Sequence, residues 1–288
     1  MQNGMHDWQG WQRLFESRAD RPLPRLAGRQ PRDIPASVAR SLAIFQLGES
    51  GGGTVVDQAK ASRLPGTDDH YCEALRLFVA EEHRHANLLA MCVRMLGGEL
   101  IKENWTARLF VTFRRLIGLR ARVMVLLAAE VVGICFYRLI AEHLPAGPVR
   151  QILLELVDDE ETHLRFHARF LRTQMRYRWQ RTLFRAAWRV TMACACTAVM
   201  LDHRATMRDL GIGSGAIWQR TRGITERAEV AVVAQEQEID SITCTLDYER
   251  KQSGTKIACS ADRPLQPGCP AREVLDGPLN CAYNSRSS

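Results

Sequence analysis

Acidic and imidazole side chains stand in this chain where a helical core demands apolar ones. Four segments carry residues at alternating steps of three and four, the spacing of a core-facing helix stripe. In the first, Val38, Leu42 and Phe45 lead to Glu49. In the second, Tyr71, Leu75 and Phe78 lead to Glu82 and His85, and Leu89 follows. In the third, Val123 and Leu127 precede Glu130, and Ile134, Tyr137 and Ala141 follow. In the fourth, Val149, Leu153 and Leu156 precede Glu160 and His163, and His167 and Phe170 follow. An isolated carboxylate in an apolar core costs several kcal/mol or takes up a proton. Glu49, Glu82, Glu130 and Glu160, brought to similar depth, would repel one another, and no Lys or Arg shares their stripes. Two divalent cations would compensate them. One Glu-x-x-His for each ion, with further carboxylates to bridge or terminate, is a donor set of the right chemistry.

The connections suggest a topology. Asp33-Ile34-Pro35 reads as a helix start. Leu64–His70, with its Pro65-Gly66, and Pro145–Pro148 are short enough to join antiparallel neighbours. About two dozen residues separate Gly97-Gly98 from Arg120, room for a crossover with a short helix around Trp105–Phe113. The expected fold is therefore all-α: a four-helix bundle with a long crossover between its second and third helices. From Val149 to Leu210 there is no Gly or Pro. One helix of that length would run roughly 90 Å, so a break is expected within 172–185, and with it an additional C-terminal helix. Gly48, Gly51, Gly52 and Gly53 surround Glu49, and either admit a substrate closely or unwind the helix there. Residues 1–34 read as an irregular Arg/Pro-rich arm, 35–210 as the bundle with its extra helix, and 211–288 as a C-terminal extension of unassigned fold. Within that extension Ser241–Tyr248 alternates like a strand.

Glu82-His83-Arg84-His85 and Asp159-Glu160-Glu161-Thr162-His163 each follow a stripe Glu, Glu49 or Glu130, placed 30–33 residues upstream. This pattern resembles the ferritin-like di-iron carboxylate superfamily, in its rubrerythrin and oxygenase-like branch, over roughly residues 35–170. The resemblance implies a ferritin-like bundle whose six ligands hold two iron ions, with manganese or a mixed pair as alternatives. It implies that Asp159 hydrogen-bonds His85 and Glu81 hydrogen-bonds His163, fixing each ring. It implies a non-haem di-iron oxidase or oxygenase that activates O2 to oxidise a small substrate. The alternative is a ferroxidase or iron-binding protein. Phe45, Phe78, Leu89, Ile134 and Tyr137 would wall the cavity. Tyr137 fills space there, or donates a hydrogen bond or an electron. His167, one turn beyond His163, reads as a core histidine with hydrogen-bond partners of its own rather than a third imidazole ligand. Two departures narrow the family. Leu156 stands where some N-oxygenases carry an extra His. Leu89 stands where the ribonucleotide reductase radical subunit carries Tyr, so no stable tyrosyl radical is expected.

Hydrophobic residues at 46% and charged residues at 25% exclude a disordered or collagen-like chain. The formal charge is +7, and much of the base is local. Arg165, Arg169, Arg172 and Arg176 are followed by Arg178, Arg181, Arg185 and Arg189, with Trp179, Phe184 and Trp188 interleaved. No Asp or Glu occurs from 162 to 201. Residues 165–189 read either as a basic helix packed by its aromatic side or as a dock for an anionic surface, whether lipid, carrier or RNA. The partners to be sought are thus O2, an unidentified substrate, an external electron donor, that anionic surface and a second copy of the chain. Nine Cys, an odd number without a CxxC pair, suggest reduced thiols. With no apolar signal core at the N-terminus, the expectation is a cytoplasmic protein, at most peripheral to a membrane.

Overall fold

Asp7 starts the first helix, its carboxylate accepting from the Gly10 amide at 2.7 Å. In this computed structural model α1 spans Trp8–Ala19, α2 Ala36–Glu49, α3 Thr54–Lys60, α4 Asp69–Met95 and α5 Leu119–His143. Then come α6 Pro148–Thr173, α7 Arg178–Asp202, α8 Arg204–Asp209 and α9 Ser214–Val233. The structure describes residues 7–24, 33–51, 53–105 and 118–233, all inside one unit that runs from Met1 to Glu236. No strand occurs among the described residues. Part of the expected crossover, 106–117, and the strand-like Ser241–Tyr248 lie outside them.

The apolar stripes become one core. α2 packs on α4, α5 on α6, and α4 meets α6. Val38, Leu42, Leu75, Leu89, Val123, Leu127, Val149 and Leu153 are all buried in it. The start of α4 is fixed by Asp68, whose side chain accepts from the Tyr71 amide at 2.8 Å. Its end turns at Gly97, where φ is +71°. Gly98 lets this corner approach α2, since a Cβ there would lie 2.6 Å from Ala39 Cβ. An 18-residue window of α5 has a mean hydropathy of 2.1, but 83% of that window is buried, as befits a central core helix.

Three expectations are corrected. Residues 8–19 are not irregular. Trp8, Trp11 and Phe15 step by three and four, and their burial against α4 and α6 holds α1 in the core. Leu64–His70 does not by itself join α2 to α4, because α3 intervenes; buried Arg122 of α5 holds α3, donating to Thr54 Oγ1 at 2.7 Å. Asp33 makes no capping bond, and Pro35 opens α2 alone. The break after the fourth stripe falls at 174–177, inside the expected window. There Gln174 Nε2 donates to the Pro65 carbonyl at 2.8 Å and fastens the break to the turn before α4. Residues 214–233 of the C-terminal extension form α9, which packs on α5, α6 and α7.

Candidate metal centre

Helical spacing places Glu82 and His85 one turn apart on α4, and Glu160 and His163 one turn apart on α6. The two pairs face each other. One ligand atom from each of the four lies within 4.8 Å of all the others, so the group can hold a metal ion. Both imidazoles turn Nδ1 inward. His163 Nδ1 lies 3.0 Å from Glu82 Oε1 and 3.1 Å from Glu160 Oε2. His85 Nδ1 lies 3.2 Å from Glu160 Oε1 and 3.6 Å from Glu82 Oε1. Glu82 Oε1, Glu160 Oε1 and His85 Nδ1 are nevertheless buried without a well-aligned hydrogen bond. His163 Nδ1 and Glu160 Oε2 do bond, but the other atoms crowd together unbonded, arranged as for a shared cation rather than for one another.

The outer ring nitrogens are fully occupied. His85 Nε2 is 3.3 Å from Asp159 Oδ2, and His163 Nε2 is 3.0 Å from Glu81 Oε2. These are the partners expected from sequence. Such acids fix the tautomer and raise the basicity of the inward nitrogen. What sequence reading missed is the layer behind them. Arg18, from α1, reaches Asp159 at 3.0 Å and Glu81 at 3.5 Å. Arg21, just past α1, donates to both oxygens of Asp159, at 3.0 and 2.6 Å, and to Glu81. Arg84 approaches Asp159 at 3.8 Å and pairs with Glu155 at 2.5 Å. The stripe Trp8, Trp11, Phe15 was the available signal, since it predicts a helix whose next turns bring Arg18 and Arg21 inward.

Glu130 and Glu49 complete the acid cluster. Glu130 Oε2 lies 3.8 Å from His163 Nδ1. Glu49 is the last residue of α2, where the chain unwinds into the glycine-rich turn. Its carboxylate accepts from Tyr137 Oη at 3.0 Å, so Tyr137 donates a hydrogen bond as well as filling space. Gly133, one turn before Tyr137, leaves the α5 wall open there: a Cβ would sit 3.4 Å from Tyr137 and 3.8 Å from Glu160. His167 packs edge-on against Phe78 at 4.6 Å, with Nε2 3.4 Å from Glu130 Oε1. Neither of its ring nitrogens is hydrogen-bonded. The expectation of a core histidine with partners of its own is therefore not met.

Protons hold the charge balance. Burial, then the charges of Glu82 and Glu160, push the Glu49 carboxyl well above the usual range. Burial, then Glu160, does the same to Glu130. Glu160 itself is held low against its burial by Glu130 and by the charge of His85. Burial alone would lower His85, but Glu160 and the bond to Asp159 outweigh it and raise the ring to about 9. His163 is likewise raised, its bonds to Glu160 and Glu81 overcoming desolvation. Asp159 stays well below the ordinary carboxylate range, because bonds from His85 and Arg21 exceed the cost of burial.

Away from the cluster, the basic helix α7 is partly neutralised, with Glu229 of α9 lying 3.3 Å from Arg185 and 3.7 Å from Arg189. Phe184 and Trp188 face the core, while Trp179, Leu183 and Val190 face outward. A cleft of about 490 Å³, lined by Arg40, Ser41, Trp105, Leu201 and Thr206 among others, contains none of the acids or imidazoles described above. No family model, curated protein or solved structure matches the chain.

Proposed function

We propose that this is a ferritin-like di-metal protein, and that with two iron ions it acts as an O2-dependent oxidase or oxygenase on a small substrate. The observation that carries the reading is the convergence of Glu82, His85, Glu160 and His163, with an acid behind each ring. The donor chemistry fits. Burial and mutual repulsion push Glu49 and Glu130 up, and the neighbouring acids raise His85 and His163, a strain on buried charge that two divalent cations would relieve. Glu82 and Glu160, which approach both imidazoles, would hold the ions together with Glu49 and Glu130. Iron in such a carboxylate and imidazole site supplies O2 chemistry, and manganese is held by the same donors.

The chain's own groups have separable tasks in this reading. Glu81 and Asp159 orient the rings, and Arg18 and Arg21 hold those acids charged and in place. Tyr137 fixes Glu49 through its hydroxyl proton. Buried Phe78, Leu89 and Ile134, with half-buried Phe45, exclude water from the cluster. Electrons come from a donor outside the chain. The test is metal analysis after anaerobic loading with Fe(II), followed by an optical spectrum on exposure to O2. About two irons per chain and a new oxygen-dependent band support the proposal. Substoichiometric metal, equal to that of a variant with both Glu82→Ala and Glu160→Ala, overturns it.

A further inference from the structure

We propose that His167 is a third imidazole ligand of this metal centre, bound through Nε2 beside Glu130. The inference rests on the di-metal reading above and adds a donor that the six-residue pattern does not contain. His167 is fully buried on α6, and neither ring nitrogen has a hydrogen-bond partner. A buried polar group left so is destabilising, which argues that the ring serves more than packing. Its Nε2 approaches Glu130 Oε1 to 3.4 Å without the alignment of a hydrogen bond, the relation of two ligands to one ion rather than of donor to acceptor. The ring cannot easily turn away. Phe78 meets it edge-on at 4.6 Å, and Phe166 lies against it at 5.4 Å.

The third ring makes the centre asymmetric. His85 faces Glu160 and Glu82, whereas His163 and His167 both approach Glu130. Two nitrogens would therefore stand beside Glu130. No carboxylate stands behind His167, unlike His85 and His163. It is accordingly the less basic ligand and the first to yield its place to an incoming molecule.

Cobalt(II), added anaerobically to the stripped full-length protein, tests this without turnover. Wild type should bind two equivalents with visible ligand-field bands. His167→Ala should keep the first equivalent, lose about tenfold or more in affinity for the second, and change the band pattern. Free imidazole should restore both. Two equivalents bound by His167→Ala with wild-type affinity and spectrum would overturn the proposal while leaving the di-metal reading intact. No cobalt bound by wild type would overturn both. His167→Gln, checked by far-ultraviolet circular dichroism, replaces the alanine variant if that chain does not fold. Should neither fold, nitrogen hyperfine couplings of the loaded wild type, with and without 15N-histidine, count the rings: three support the assignment and two refute it.

Discussion

At the scale of single residues, the acids behind the rings are as exacting as the ligands. Asp159→Asn keeps the shape of the side chain but weakens acceptance from His85 and removes the charge that Arg18 and Arg21 address. Its divalent-metal affinity should fall about 10- to 100-fold in a chelator competition. A second prediction lies far from the cluster. His203 is buried, stacked on Phe45 at 4.9 Å, and its Nδ1 donates to Ser41 Oγ at 2.8 Å. Ser41 in turn bonds Thr206 at 2.6 Å, and Thr206 donates to the Ser37 carbonyl. Burial lowers this imidazole from its ordinary 6.5 to about 3. Below pH 6.5 the unfolded chain takes up a proton there and the folded chain does not, so stability falls as pH falls through that window. His203→Phe should therefore lose less than wild type between pH 7 and pH 5, by about 2 kcal/mol in denaturant titrations. Equal losses would show that His203 titrates normally. The six stripe residues were legible because a charge at a core position breaks a period. His203 was not, because an isolated histidine breaks none.

Secondary-structure elements were legible to the degree that their apolar period was long. α4, α5 and α6 run for seven turns or so and read clearly. α1 has three turns, and the Arg and Pro residues after it hid a stripe of only three aromatics. Yet α1 carries the charge compensation of the centre. Trp11 is buried between Phe15 and Phe166, with ring centroids 6.1 and 5.4 Å away. Trp11→Ala should cost about 3–5 kcal/mol in unfolding free energy. Replacing Arg18 and Arg21 together by Ala leaves the packing but strands Glu81 and Asp159; about 2 kcal/mol is expected. It should also weaken metal binding, whereas Trp11→Ala with α1 still docked should not. The break at 174–177 lacks Gly and Pro, so composition could bound it but not locate it; a side chain of ordinary type, Gln174, supplies the missing hydrogen bonds.

For the whole molecule, a metal ion held by Glu82, His85, Glu160 and His163 would tie α4 to α6 and add to stability. A ligand that binds the folded state alone at one hundred times its dissociation constant contributes about 2.7 kcal/mol. For a folded unit of this size that is about 5–10 °C in Tm. Manganese(II) or cobalt(II) at saturating concentration should raise Tm by this amount at neutral pH, and the shift should vanish in a variant carrying Glu82→Ala and Glu160→Ala. An equal shift in that variant would locate the ion elsewhere. The distribution of donors over α2, α4, α5 and α6 was readable from the sequence. The way α9 closes over α5, α6 and α7 was not, because its buried positions, Ile217, Thr221, Ile224, Ala228, Val232 and Val233, include a polar one and follow a glycine-rich turn.

The bonds from Arg18 and Arg21 to Asp159 span 141 and 138 positions of chain. On a ribosome adding about 5–20 residues per second, the N-terminal helix is made roughly 7–28 s before its anchor exists. During that interval Trp8, Trp11 and Phe15 have no finished core to enter, and the arginine latch is synthesised well before the acid it closes on. A stalled chain ending at residue 158 should leave this helix open to proteolysis, and release of the completed chain should protect it.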